Sequence, residues 1–437
     1  MSSLMRKPVF LLILFLLADC RGKQAESFMT SDKALKYFSE LENICNTDNG
    51  QLWGKNLYGP LMFIDRSTRL IIANSPDEEG ILKLSEGIYS GSYPRDMLIS
   101  NTPQYFGGVL FAIAPLPPEE NDYNIKTIAV HSLFHRFQEL KGIRSDGYNT
   151  NNMDEKQARL WIKLEWKALR KAIISEGQER KIALRDALIF RGANRELYSN
   201  DANDENHFEN YEGLSTFTYT LLCSGGCEEF RAHLFEALDR IYAMQSYARS
   251  YGFIHGALYA TLLHEKGFDF KMISTPNYDL GMAAKDLYGI ELPEFCRDVA
   301  GSIALNYDIA EINREEEERL EGIREGLNKQ VSIFTEKPVV YFQLESPYFD
   351  FEPENVHALD TLGTLYNSIR VSDSWGKLTV EKEGCLISNN FKNLRISAKG
   401  FNKVRNRITG DGWSLILNDD WEIIVVGPNY FVRKLMP

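Results

Sequence analysis

Near Val331 the hydrophobic period of this chain changes, so the chain has to bury two different kinds of element. From Ile125 to about Lys329 apolar residues recur at helical spacing. "RLWIKLEWKALRKAII" sets Leu160, Trp161, Leu164, Ala168 and Ala172 on one face. "INREEEERLEGIREGLNK" still carries Ile312, Leu320, Ile323 and Leu327, and its charge run reads as the solvated face of an amphipathic helix. After Val331 the runs are short and alternating ("PVVYFQL", "KLTVEKEG", "GWSLILN", "WEIIVVG") and are separated by Gly, Asn and Asp. That pattern predicts an all-β domain of about one hundred residues.

A smaller strand-rich region lies ahead of the helices. "LMFIDRSTRLIIANS" holds two β-rich runs around a polar turn at Arg66–Thr68, and "GGVLFAIAPLPP" reads as a buried strand closed by prolines. Before it, "SDKALKYFSELENIC" predicts a helix capped by Ser31 or Asp32, with Leu35, Phe38, Leu41 and Ile44 as its apolar stripe. The expected fold is α+β: a small N-terminal sheet with helices over residues 25–330, then a β domain over 331–437. A length of 437 residues agrees with more than one core. The 44% hydrophobic and 25% charged content is that of a folded globular chain. A net charge of −12 with no basic stripe argues against nucleic acid as a partner, because such binding is driven by phosphate neutralisation.

Residues 1–20 read as a targeting segment. Arg6 and Lys7 precede the apolar "VFLLILFLLA", which has signal-peptide length and is too short to span a bilayer. "LADC" then ends at Cys20 and looks like a bacterial lipobox, with Asp19 unusual just before the cysteine. The segment suits either a lipid-anchored envelope protein or a cleaved secretory signal, and either way the chain is expected to be exported. Five further cysteines follow (Cys45, Cys223, Cys227, Cys296, Cys385), an odd number that leaves at least one thiol over. "CSGGC" has the glycines to close a small loop between Cys223 and Cys227, as a disulfide or as two free thiols.

The chemistry concentrates in "IKTIAVHSLFHRFQEL". His131 and His135 are four apart on a predicted helix, hence on one face, and both rings can meet one ion. Zinc needs a third protein ligand. Glu212 in "NYEGLSTFTY" is the first choice and Glu165 in "LEWKAL" the alternate. A bare pair of histidines four apart is also common on helices with no metal, so the reading needs structural context.

The succession of a strand, an "HxxFHRxQ"-like helix, "LEWKAL", "ALRDAL" and "YEGLSTFTY" resembles bacterial zincin-type proteins of the gluzincin kind. These carry H-E-x-x-H and a later E-G third-ligand motif. "LWGKNLYGPLMFIDRSTRLIIAN", "SYGFIHGALYATLLHEKG" and "GDGWSLILNDDW" fit the same family, so the resemblance covers nearly the whole mature chain. It implies a zinc site of His131, His135 and Glu212, and a transition-state role for Tyr251 or His255. It also implies a general base at position 132, where this chain has Ser132, and Thr216–Phe217 depart from the family's A-E-Y as well. A serine cannot relay protons as that glutamate does near neutral pH. The resemblance therefore implies a disabled or repurposed metallopeptidase that binds a peptide or protein partner, with Ser132 facing the cleft. Two alternatives stand beside it. One is an active peptidase with a displaced base such as Glu209, and the other is a metal-free interaction protein.

Overall fold

A computed structural model describes residues 29–435, apart from 95–96, 98, 118–119, 145–146, 148, 199–201, 352–355 and 360. The targeting segment and Cys20 lie outside the described residues. The chain divides into two compact units, the first running to Asn313 and the second starting at Arg314. The architecture is α+β with an all-β C-terminal region.

Helix α1 (Ser31–Asp48) opens the first unit. Thr30, rather than Ser31 or Asp32, caps it, accepting from the Lys33 amide. Its buried stripe is Ala34, Tyr37, Phe38, Leu41 and Cys45, while Leu35 is exposed. Six strands follow: β1 (Leu61–Ile64), β2 (Leu70–Ala73), β3 (Lys83–Ser85), β4 (Ile88–Ser92), β5 (Gln104–Phe106) and β6 (Val109–Pro115). They form one sheet in the order β3-β4-β2-β1-β6-β5, in which β1 and β6 run parallel and the other pairs antiparallel. The β1–β2 turn is held by Asp65, whose Oδ1 accepts from the Ser67 amide and hydroxyl and from the Thr68 amide. Both faces of the central strands are covered. Phe63, Ile72, Ala112 and Ala114 join the helical core, while Met62, Ile71, Phe111 and Ile113 pack into a second cluster with Tyr93 and Phe106.

Helix α2 (Asp122–Leu140) lies against β6. Asn121 caps it, and Arg136 Nε donates to the Leu110 carbonyl at 2.8 Å. Then come α3 (Lys156–Ile174), α4 (Gly177–Leu197), α5 (Ala202–Phe208), a π-helical turn (Glu209–Gly213), α6 (Leu214–Cys223), α7 (Cys227–Tyr242), α8 (Tyr251–Glu265), α9 (Leu280–Tyr288), α10 (Arg297–Ala304) and α11 (Ile309–Thr335). Leu160, Leu164, Ala168 and Ala172 are buried on α3 as their spacing predicts, and Trp161 is half-buried.

Helix α11 runs across the division between the units, so most of it belongs with the β strands. There Phe334 and Leu327 pack with Leu365 and Leu386. The strands form a seven-stranded and a six-stranded sheet that share one core. Val340, Phe342 and Ile396 contribute to it from one sheet, Val371, Leu378 and Leu415 from the other. Trp413 ties the two together by donating to the Ser397 carbonyl at 2.8 Å.

Among the described residues no helix is long and apolar enough to cross a membrane. Cys45, Cys223, Cys227, Cys296 and Cys385 are all free thiols, so the Cys223–Cys227 loop is not closed.

Candidate metal centre

Two helices build the site. On α2, four residues of α-helix stack His131 and His135 one turn apart, and their Nε2 atoms lie 2.9 Å from each other. The π turn after α5 supplies Glu212, whose Oε2 is 3.3 Å from His135 Nε2 and 3.8 Å from His131 Nε2. The three donors lie within 4.8 Å of one another. Single π turns inside α-helices recur at functional sites because they shift the register of the next helical turns. Here the turn directs Glu209 to one buried network and Glu212 to another.

Close helix packing brings the π turn to its position. A Cβ on Gly213 would lie 2.6 Å from Gly256 Cα, one on Gly256 would lie 2.3 Å from the Glu209 carbonyl oxygen, and one on Gly252 would strike Phe208. Glycine at these three positions lets α8 approach the turn backbone to backbone.

The partners of His135 fix its tautomer. Gln138 donates its Nε2 to the carbonyls of Asn210 and Tyr211, so its Oε1 can only accept. That oxygen lies 2.8 Å from His135 Nδ1, which therefore carries the proton, and His135 Nε2 presents a lone pair to the shared centre. Ser215 Oγ lies 2.8 Å from His131 Nδ1. A hydroxyl both donates and accepts, so it supports either tautomer of His131. Burial, aided by the neighbouring His135, holds the His131 pKa well below the usual histidine range and keeps the ring neutral. Tyr211 stacks on His135 with centroids 4.3 Å apart. Asn101 brings Nδ2 to 2.7 Å from His131 Nε2 and so covers that nitrogen from the solvent side.

The donor set fits a divalent cation. Glu212 Oε2 is a buried oxygen that accepts no hydrogen bond, and it faces two imidazole nitrogens of which at least one offers only a lone pair. Zinc bonds of about 2.0–2.2 Å put neighbouring ligand atoms roughly 3–4 Å apart, the range that the observed separations straddle.

Several expected residues go elsewhere. Ser132 does not face a cleft. It is fully buried, and its hydroxyl lies 2.6 Å from the Ile113 carbonyl of β6 and 2.9 Å from the Ile128 carbonyl of its own helix. It ties α2 to the sheet. The alternate ligand Glu165 is likewise drawn away. Its Oε1 accepts from Tyr259 at 2.6 Å and from His255 Nε2 at 2.9 Å, and so it orients His255 rather than either histidine of α2. Trp166 donates to His255 Nδ1 at 3.1 Å, which fixes the Nε2–H tautomer. Tyr251 donates to Glu209, and Arg191 grips both Glu209 oxygens at 2.8 Å each. Glu209, Tyr251 and His255 are all buried to 2% exposure or less, and their polar atoms are engaged with one another's neighbours. In this structure these atoms are engaged in the Arg191–Glu165 network rather than with the histidines of α2. Thr216 and Phe217 are buried on α6, and Phe217 stacks on Phe270.

The residues missed at the sequence level are Asn101, Gln138, Ser215 and Tyr211. Gln138 and Ser215 each lie three positions after a proposed ligand, a helical spacing that could have been read. Asn101 comes from a distant loop and carried no local signal. No family model, curated protein or solved structure matches this chain.

Proposed function

We propose that this is an exported metal-binding protein whose His131–His135–Glu212 site holds one zinc ion and which acts by binding a peptide or protein partner rather than by hydrolysis. One observation carries the reading. An unpaired buried carboxylate oxygen converges with a histidine nitrogen whose partner forces the lone pair toward it. A bound zinc ion supplies Lewis acidity and can take an anionic or carbonyl oxygen as a further ligand.

This chain's own residues do the rest. Gln138 and Ser215 hold the two rings in ligand orientation, as outer partners of metal-binding histidines do. Asn101 guards the solvent side and must move aside for an ion to reach His131. The argument against hydrolysis is local: Ser132 stands where the resembled family has its base, and its hydroxyl is committed to β6. The resemblance to gluzincin-type proteins and the apolar segment before Cys20 support the exported metallopeptidase-like reading.

The test is metal content by mass spectrometry after dialysis against zinc, for wild type, His135→Ala and Glu212→Gln, together with hydrolysis of a broad peptide library with and without chelator. About one zinc per chain in the wild type, lost in both variants, with no chelator-sensitive cleavage, is the expected result. A wild type that takes up no zinc sinks the site and leaves the metal-free interaction protein. Rapid chelator-sensitive cleavage sinks the pseudo-peptidase and favours an active enzyme.

A further inference from the structure

One polar side chain at the metal centre comes from outside the helices. Asn101 lies in the loop between β4 and β5 and is itself exposed, yet its Nδ2 stands 2.7 Å from His131 Nε2. Among the described residues this is the only hydrogen bond its carboxamide makes. The residues around it hold the loop in place. Ser100 Oγ and Thr102 Oγ1 are 2.6 Å apart, and Gln104 Nε2 donates to Ser100 Oγ at 3.3 Å. Gln104 in turn accepts from the buried Tyr93, and Arg69 donates to the carbonyls of Tyr93 and Met97. The loop is thus tied to the sheet on both sides of Asn101.

A side chain that caps a ligand atom can also become a ligand. The two ends of a carboxamide have the same shape, so turning the group over exchanges a donor for an acceptor and needs no new space. Nδ2–H suits a bare nitrogen lone pair, and Oδ1 suits a cation bonded to that nitrogen. Nothing else competes for this place. Tyr211 and Tyr219 cover the ring faces of His135 and His131, with centroids 4.3 and 5.9 Å away, and Gln138 and Ser215 occupy the two Nδ1 atoms. Apart from the three ligands, Asn101 is the only described side chain within hydrogen-bond distance of either Nε2.

We propose that Asn101 Oδ1 is the fourth ligand of the metal, so that His131, His135, Glu212 and Asn101 form a closed site with no position left for water. The inference rests on the zinc-binding reading above. Three protein ligands and one water mark catalytic zinc, and four protein ligands mark structural zinc. Two imidazole nitrogens favour zinc over magnesium or calcium, even with two oxygens beside them. The carboxamide turns over and draws back as the ion enters, because neighbouring ligand atoms stand roughly 3–4 Å apart, against 2.7 Å between Asn101 Nδ2 and His131 Nε2 now. The ion then joins three separate parts of the first unit: α2, the π turn and the β4–β5 loop. A closed site also lacks the metal-bound water that hydrolysis needs.

The test loads the full chain with zinc, or with cobalt(II), whose visible absorption reports its ligands. The wild-type cobalt protein should show the intense absorption of a four-coordinate ion, and added azide should leave it unchanged. Asn101→Ala, at an exposed position, should bind zinc about ten-fold more weakly or worse by chelator competition, and its cobalt spectrum should respond saturably to azide. Asn101→Leu keeps the bulk of the side chain but has no oxygen, and it should lose zinc affinity and shift the cobalt spectrum as Asn101→Ala does. Asn101→Asp keeps an oxygen and should stay insensitive to azide, with zinc affinity at or above that of the wild type. A wild type that takes up neither ion overturns the metal reading and this proposal with it. Metal uptake by a wild type that responds to azide as Asn101→Ala does, or an Asn101→Leu protein with wild-type affinity and spectrum, overturns this proposal alone.

Discussion

Ser132 Oγ lies 2.6 Å from the carbonyl oxygen of Ile113, so the residue between the two histidine turns joins a helix to a strand instead of opening onto the metal-ligand group. Its surroundings are fully buried and its neighbours there are carbonyl acceptors. Replacing it with glutamate drives a carboxylate into a space that offers it no donor.

Ser132→Glu should therefore be destabilised by about 3 kcal/mol or more, the order expected for an unpaired buried charge, and should gain no peptidase activity. Ser132→Ala should lose only about 1 kcal/mol, one hydrogen bond's worth. Urea unfolding midpoints of the three proteins check this. A stable Ser132→Glu protein that cleaves peptides would show that the side chain reaches the cleft after all.

Gln138 acts on the site through one proton. Gln138→Leu removes the acceptor that keeps His135 Nδ1 protonated and its Nε2 free. Zinc affinity should fall about 10–100-fold, as it does when outer partners of metal ligands are removed. Ser215→Ala should cost less, because the hydroxyl supports either tautomer of His131. Competition against a fluorescent chelator measures both.

Gly256→Ala reverses the usual sign of a helical glycine substitution. In an open helix the change stabilises by roughly 0.5–1 kcal/mol. Here the added Cβ would lie 2.3 Å from the Glu209 carbonyl oxygen, a backbone atom that cannot turn aside. Overpacking should win, with a loss of about 1–3 kcal/mol. The displaced π turn should also lower zinc uptake through Glu212. Thermal melts and metal content report the two effects separately.

Arg191 holds the buried network together. Burial pushes the Glu209 carboxyl up, but Arg191, with help from Arg195, outweighs it and leaves the group below the usual carboxylate range. Asp279 behaves alike: burial opposes ionisation, and Arg191 and Arg195 hold it well below normal. For carboxyls depressed in the folded state, the stabilisation is fully present above the unfolded values of about 3.9–4.3 and is lost as pH falls through the folded values. Glu205 has the opposite sign, since burial outweighs Arg195 and raises it, and it offsets part of the loss. Urea midpoints should start to decline below about pH 6.5, where the unfolded chain protonates His131 while the folded ring stays neutral, and fall further below about pH 4 as the depressed carboxyls are protonated. Arg191→Met should cost about 3–5 kcal/mol near neutrality, because Glu209 is left buried and unpaired, and should flatten the acid limb.

How far local pattern reaches differs by element. The change of period near Val331 announces helices and then strands, and the fold obeys it, because a buried face imposes its period on the sequence whatever it packs against. The polar turn before Arg69 and the buried strand Val109–Pro115 are legible for the same local reason. Capping is less so. Thr30 displaces Ser31 and Asp32, since neighbouring polar residues compete for one geometry. Spacing also puts Leu35 in the apolar stripe of α1, yet Leu35 is exposed, because tertiary contact and not spacing chooses the covered face.

By itself the sequence determined the order of helical and strand-forming segments, the pairing of His131 with His135 on one helical face, and the short list of carboxylates able to join them. All of these come from local periodicity and side-chain chemistry. Only the tertiary structure decided among Glu212, Glu165 and Glu209, which sit on helices brought together by Gly213, Gly252 and Gly256 and by the pull of Arg191. It also turned Ser132 toward Ile113. Those outcomes depend on which backbone carbonyl or charged group arrives from a distant part of the chain, and no local pattern encodes that arrival.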